Sequence, residues 1–425
     1  VNPLAIALAV LVSIYVAVFV LGKAERLAVV LVLSMFVTRF TIDIAGFSVR
    51  LETVGGLLAA LSLLLGRGRS KPLSTPALVS IIAIVTWLLG GLLSSVVNSP
   101  ELSRSLSILS WCVLSVVAAI WIAKNPTTWL LMLRVGLYAA FGSLVLAVVF
   151  WSMASAGIAV VGVQVDPTYG GYAAFVGSIE ANVLAGLLCL WGLIAAWNPL
   201  SALSGKLRVA TVLLTPVAIL ATHTRAALVA YVVGLVFIFV GRRSARRLVA
   251  GTAVLGSVIV GALLSSSSDV GLSKFGSLFD VAGGTGNLRL GQNSIALHEW
   301  ATSPSVAFGL GWNSYGQRHL DLTRPFENLP SYIGNLPTQL VYDGGLLAAI
   351  AVAVAALIVV VTLFARGHFW LVVSIAVPYA IFSIATSVLW LLETWFWVGL
   401  AWGLLATRPE ETAPTVHDLA EVRRD

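Results

Sequence analysis

Apolar runs of about 18 or more residues recur along most of the chain, each long enough to cross a hydrocarbon core of about 30 Å as a helix. They fall near residues 3–22, 27–45, 47–66, 75–96, 106–123, 127–151, 180–197, 208–223, 225–241, 247–265, 336–364, 369–387 and 389–406. That is about thirteen spans, with twelve an equal reading. One long polar interval interrupts the series, from Ser265 to Gly345. It contains Gly283-Gly-Thr-Gly-Asn287, Arg289, His298-Glu-Trp300 and Gly309-Leu-Gly311-Trp-Asn-Ser-Tyr315, and closes through Gly334-Asn335, Gln339, Asp343 and Gly345. A loop of this length without strong periodicity is either functional or disordered. Its aromatic residues and spaced charges argue against disorder. The pattern predicts an all-α polytopic membrane protein in four parts: N-terminal transmembrane helices over 1–264, a large loop over 265–335, C-terminal transmembrane helices over 336–407, and a disordered tail over 408–425.

The connections after alternate runs carry Lys23 and Arg26; Arg67, Arg69 and Lys71; Lys124; Lys206 and Arg208; Arg242, Arg243, Arg246 and Arg247; and Arg366. By the positive-inside rule these face the cytoplasm, which puts the tail inside and the large loop on the extracytoplasmic side. Acidic residues, among them Asp43, Glu52, Glu101, Glu180, Glu299, Asp343 and Glu393, map to the opposite side and suggest a polar, liganded surface there.

Composition agrees with the pattern: 59% of residues are hydrophobic and 10% charged, against about a quarter charged in soluble domains. The net charge of +7 would suggest nucleic acid in a soluble protein, but here the basic residues sit in short connections, so no nucleic-acid partner is expected. Cys112 and Cys189 both fall inside apolar runs, which argues against a disulfide. There is no C-x-x-C, H-E-x-x-H, P-loop or dinucleotide-binding glycine pattern, and no metal or other cofactor is expected.

Arg225 follows Thr222-His223-Thr224 at the junction of two apolar runs. Arginine near the bilayer centre costs about 2.5 to 3.5 kcal/mol, so such charges pair or face a polar cavity. The plain alternative is that it snorkels to the interface. Arg289 adds a second guanidinium on the same side, and planar guanidinium groups bind phosphate oxygens bidentately, so a membrane-surface diphosphate would match the pair. Arg39 and Arg50 flank Asp43 and Glu52 and are read as substrate-binding, against a structural ion-pair cluster. His298 and His319 are candidate general bases, because imidazole titrates near neutrality, against ordinary loop histidines. Glu180 and Asn182 open a run as either binding residues or a helix N-cap.

In order along the chain, these residues resemble the O-antigen ligase and polymerase family. Asn182 with Ala185 is similar to its N-x-x-A, Thr224-Arg225-Ala226 to its Ser-Arg-Gly, and Arg289 with Trp300 to the pair that opens its large loop. Gly309-x-Gly311-x-x-x-Tyr315 resembles its G-x-G-x-x-x-F turn, and Asn335, Gln339, Asp343 and Gly345 resemble its closing H-N-x-x-x-Q-x-x-x-E-x-G. One departure stands out: the family's ligases have His immediately before that Asn, where this chain has Gly334.

The resemblance implies a metal-independent, inverting glycosyltransferase of the bacterial inner membrane. Its substrates would be a polyprenyl-diphosphate-linked glycan and a glycan or lipid acceptor, among membrane lipids, with a chain-length regulator as a further candidate partner. Arg225 and Arg289 would stabilise the leaving diphosphate. Asn335 and Gln339 would bind substrate, and either His298, His319, Asp343 or Glu180 would replace the missing base, or the chain belongs to a polymerase-like branch that does not need that His. The first expectation is glycan polymerisation or transfer. The alternatives are ligase or oligosaccharyltransferase-type transfer to a lipid, wall polymer or protein, and a transporter or flippase of a lipid-linked anion.

Overall fold

A computed structural model describes residues 18–44, 47–66, 71–165, 171–265, 285–319 and 333–406. The apolar runs fold as helices, since only a structure that satisfies its own backbone hydrogen bonds is stable in hydrocarbon. In chain order they are α1 (Ala24–Ser34), α2 (Leu51–Leu64), α3 (Thr75–Asn98), α4 (Leu102–Lys124), α5 (Trp129–Ser155), α6 (Ala181–Trp197), α7 (Gly205–Ala221), α8 (Arg225–Gly241), α9 (Arg246–Ser265), α10 (Thr285–Thr302), α11 (Ser314–Arg318), α12 (Leu336–Ala365), α13 (Phe369–Ala385) and α14 (Leu392–Leu404). Among the described residues, four helical segments are long and apolar enough to cross a membrane: α3, α4, α5 with its preceding turn, and α12. The apolar helices α2, α6, α8 and α13 are shorter, at 10–17 residues. The expected first span, 3–22, and the tail lie largely or wholly outside the described residues.

The expected span over 27–45 is corrected. Helix α1 stops at Ser34, and the chain enters an antiparallel hairpin of β1 (Thr41–Ile44) and β2 (Phe47–Arg50), in register Thr41 to Arg50. The reason is local: Phe40-Thr-Ile-Asp-Ile44 alternates apolar and polar residues with the period of a strand, and its charged and β-branched residues suit neither lipid nor helix. A second hairpin pairs β3 (Val163–Val165) with β4 (Tyr172–Ala174).

Helix α6 is the centre of the bundle. Every residue from Val183 to Ala196 is buried, as expected for a helix that is apolar on all sides. Small residues let the neighbouring helices approach closely: Gly186 lies against Phe382, Gly234 against Leu193 and Pro378, and Gly241 against Trp370. These contacts make α8 and α13 antiparallel and set their register. The basic connections meet at one end of the bundle. There the Lys71 N–H donates to the Lys124 carbonyl (3.0 Å), Arg208 Nη2 to the Ala196 carbonyl (2.6 Å), Arg242 Nη2 to the Asn198 carbonyl (3.5 Å) and Arg366 Nη1 to the Leu404 carbonyl (3.5 Å). Cations at helix C-termini satisfy the last carbonyls and oppose the helix dipole.

The described part of the polar interval is ordered, as its aromatic residues and spaced charges predict. It contains the 18-residue α10 and the short α11. Its segment 305–313 is pinned to the turn between α3 and α4: Asn98 Nδ2 donates to the Gly309 carbonyl (3.0 Å), the Trp312 N–H to Ser95 Oγ (2.9 Å), and Ser105 Oγ to the Trp312 carbonyl (2.6 Å). Gln317 extends the dock by accepting from the Glu101 N–H (2.8 Å).

The same segment fills an interruption in α12. Gly345 has φ 71° and ψ −174°, a conformation open to glycine but hardly to any other residue, and it breaks the helix there. The backbone groups freed by the break are taken up by the loop: Leu310 N–H donates to the Tyr342 carbonyl (2.7 Å), Gly311 N–H to the Asp343 carbonyl (3.1 Å), and Leu346 and Leu347 N–H donate to the carbonyls of Val306 and Ala307 (both 3.1 Å). A Cβ on Gly309 would collide with the Gly345 backbone, and one on Gly345 with Ala307.

Candidate active site

The sequence candidates separate into three neighbourhoods. The first surrounds the last turn of α13. One Arg289 guanidinium nitrogen donates to the Ala385 carbonyl, and Asn335 Nδ2 donates to the Ile384 carbonyl at 3.2 Å. The register of α8 on α13, carried up from Gly234 beside Pro378, brings Arg225, the first residue of α8, level with that turn. Gly186 beside Phe382 brings up the start of α6. There Thr224 Oγ1 donates to Asn182 Oδ1 (3.1 Å), and Asn182 Nδ2 donates to Glu180 Oε1. Glu180, Asn182, Arg225, Arg289 and Asn335 therefore gather around one helix end, and all five are half-buried rather than enclosed.

Two features make this an anion-receptive place. The N-termini of α6, α8 and α12 open at it, so the positive ends of three helix dipoles face it. Arginine has five N–H donors, and capping Ala385 uses one Arg289 nitrogen while leaving the rest of the fork available. Gly334, where the family's ligases place His, lies beside that arginine. A Cβ at Gly334 would stand 3.4 Å from Arg289 Nε and 3.5 Å from the Ala385 carbonyl oxygen. The missing imidazole would thus have projected beside Arg289.

The second neighbourhood is the break in α12. Asp343 is 5% exposed, accepts from Gln339 Nε2 at 3.1 Å and from the Asn313 backbone, and its own carbonyl holds Gly311. These contacts join the loop to the helix. Eight residues separate Asp343 from Asn335, about 12 Å along the axis, and Gln339 lies midway and buried.

The third lies at the far end of α10. Glu299 Oε1 accepts from Arg318 (3.0 Å), and Oε2 accepts from His319 Nε2 (2.9 Å) and from the Tyr342 hydroxyl (2.8 Å). Burial pushes the Glu299 carboxyl up, but the hydrogen bonds from His319, Tyr342 and Arg318 outweigh it and hold the group below the usual carboxylate range. His298 is nine residues along α10 from Arg289, about 13 Å of rise. Both candidate histidines thus stand away from the arginines.

Arg39 is exposed, with its guanidinium 4.5 Å from the Phe175 ring centroid and its N–H donating to the Gly177 carbonyl (3.1 Å). That puts it three residues before Glu180 in the path of the neighbouring strand-to-helix turn. Arg50 is only 2% exposed, 3.9 Å from the Trp111 ring centroid and beside Glu52, which favours the ion-pair alternative over substrate contact. Glu52 in turn accepts from the Leu392 N–H at 3.3 Å. Glu299, Arg318 and Tyr342, and the docking residues Ser95, Asn98, Ser105 and Gln317, carry no motif in the sequence. Their partners lie up to 220 positions away, so no local signal marks them.

Residues 210–353 match the family model described as O-antigen ligase. The match takes in Arg225, Arg289, His298, Asn335, Gln339, Asp343 and Gly345, and leaves out Glu180, Asn182, Arg39 and Arg50. No curated protein matches the chain. Over residues 210–353 this membrane protein carries an O-antigen ligase domain, the kind found in glycan-transfer enzymes that act in general on a lipid-linked glycan and an acceptor.

Proposed function

We propose that the protein moves a glycan from a polyprenyl-diphosphate carrier to a hydroxyl acceptor on the extracytoplasmic side of the bacterial inner membrane, extending a surface polysaccharide. The observation that carries this reading is the convergence of Arg225 and Arg289, with three helix N-termini, on the last turn of α13. The acceptor oxygen attacks the anomeric carbon, the bond from that carbon to the phosphate oxygen breaks, and the configuration inverts. Diphosphate departs with its charge held by the two guanidinium groups, preorganised at that helix end. The acceptor proton goes to Glu180, the carboxylate beside the arginines, held in place by Asn182. Asp343, enclosed under the loop, and His298 and His319, a helix-length away, are given other roles. Sidedness follows from the basic connections at the opposite end of the bundle.

A transporter reading would find its best support in the interrupted α12, since broken helices supply ion and substrate sites in transporters. Here the freed backbone groups are bonded to the chain's own loop, which favours a scaffold over a transport site. The deciding experiment incubates purified protein with a polyprenyl-diphosphate oligosaccharide and resolves the products by gel and mass spectrometry. A ladder supports polymerisation and a single conjugate supports transfer to another acceptor. An unchanged donor, with every candidate acceptor supplied, defeats the proposal.

A further inference from the structure

The far end of α10 carries a cleft that the transfer chemistry does not use. It has a volume of about 450 Å³ and is lined by Ser294, Ile295, His298, Glu299, Thr302 and His319. Ser294, His298 and Thr302 recur every fourth residue, as do Ile295 and Glu299, so they form one face of the helix. His319 forms the opposite wall. Ser294, Ile295, His298 and Thr302 are exposed, and the His298 ring has no protein partner among the described residues.

Glu299 is the fixed point of this face. A carboxylate has about four acceptor positions, and three are filled by Arg318, His319 and Tyr342. One remains, on Oε1. The Arg318 charge offsets that of Glu299, so the cleft does not have the cationic character that a phosphate would need. It offers an oriented carboxylate, imidazole, two hydroxyls and the apolar surface of Ile295. That set suits a neutral polyol with hydroxyls on its rim and C–H groups on its face. The volume is within the range of about 300 to 1,000 Å³ typical of small-molecule sites.

We infer that this cleft is a saccharide subsite, gripping sugar units of the glycan chain along α10 and away from the reacting carbon. The inference rests on the glycan-transfer reading. His298 to Thr302 lie about 13 to 20 Å of helical rise beyond Arg289, which suits a chain extending from the diphosphate site better than proton transfer at it. The cleft therefore acts on affinity for longer glycans, and His298 and Glu299 are binding and positioning residues.

The test uses the full-length protein with two substrates: a polyprenyl-diphosphate donor carrying one or several sugar units, and the free oligosaccharide released from that donor by mild acid. In His298→Ala and Thr302→Val, KM for the multi-unit substrate rises about tenfold, the loss expected for a hydrogen bond or two. At the same time kcat, and KM for the single-unit donor, stay at the wild-type values. A rise confined to the free oligosaccharide assigns the subsite to the acceptor, and a rise confined to the donor assigns it to the donor glycan. Unchanged KM for every multi-unit substrate, or a fall in kcat at constant KM, overturns the inference. Saturation-transfer NMR with the free oligosaccharide separates its failure from that of the function. A signal in the wild type that disappears in His298→Ala supports the cleft even if no donor turns over. No signal in the wild type, or one that persists in the variant, overturns it.

Discussion

The last turn of α13 and the break at Gly345 lie at two points along α12, about 15 Å apart by the ten residues from Asn335 to Gly345. The break lies within the matched segment, and the site at α13 takes Arg225, Arg289 and Asn335 from it, yet the two treat polar groups in opposite ways. At the break the loop bonds the carbonyls of Tyr342 and Asp343 and the N–H groups of Leu346 and Leu347, and the Asp343 side chain is enclosed. At α13 the guanidinium of Arg289 caps a carbonyl with one nitrogen and stays half-buried, with donors to spare. The difference is one of satisfaction. Groups whose bonding capacity is used up hold the fold together, and groups with capacity left at an accessible helix end are placed to meet a ligand.

The comparison is tested most sharply at the arginines. Arg225→Ala and Arg289→Ala are expected to lower turnover by about two to three orders of magnitude, the value of one charge-assisted contact to a developing anion. The protein should remain monodisperse in detergent. Lysine should rescue poorly, because it lacks the bidentate fork, and the double variant should be little worse than the worse single. Initial rates at donor well below saturation measure this. Near-normal rates in Arg225→Ala would return that residue to simple snorkelling.

The break should answer differently. Gly345→Val forces a branched residue into a glycine-only conformation and against Ala307, at a cost of about 3 kcal/mol or more. Thermal melting in detergent should fall and the yield of inserted protein should drop. Smaller again, Asp343→Ala strips the loop of a buried acceptor at a cost of about 1 to 3 kcal/mol, while Asp343→Asn keeps turnover per folded molecule. If Asp343→Asn melted normally but did not turn over, Asp343 would have to move to the chemical side of the comparison.

The smallest expected effect is a pH dependence. Because the Glu299 carboxyl is held below its ordinary range, its contribution to docking α10 on α12 is complete above the unfolded carboxylate value of about 4.3. It is lost as pH falls through the lower folded value. Melting followed from pH 6 to pH 3 should show this acid limb in the wild type, and a shallower one in Glu299→Gln. Equal limbs would mean that Glu299 is not what ties the two helices.

Much of the scaffold was readable in advance, since long apolar runs and alternating basic connections are direct imprints of a bilayer on a chain. The residues around α13 were readable as a set, although Ala385, the carbonyl that gathers them, has no side-chain signature. The hairpin after α1 was hidden because apolar content over 27–45 outweighed the strand alternation at Phe40 to Ile44. Helix α10 was hidden by Gly286, Asn287, Gly291 and Asn293, all poor helix formers that tertiary contacts overrode. The break at Gly345 looked like one more glycine in an apolar run. What marks it is the approach of Gly309, 36 positions earlier, and a single sequence does not record such pairings.

The break also sets how α12 fits the bilayer. Thirty unbroken helical residues would make a rod of about 45 Å, far longer than a hydrocarbon layer of about 30 Å. Such a rod would have to tilt steeply or thicken the lipid around it. Interrupted at Gly345, the same sequence supplies 20 residues from Leu346 to Ala365, about 30 Å, that match the layer without tilt. The stub from Leu336 to Gly344 is then free to leave the membrane normal, so the angle at which Asn335 is presented becomes independent of lipid thickness.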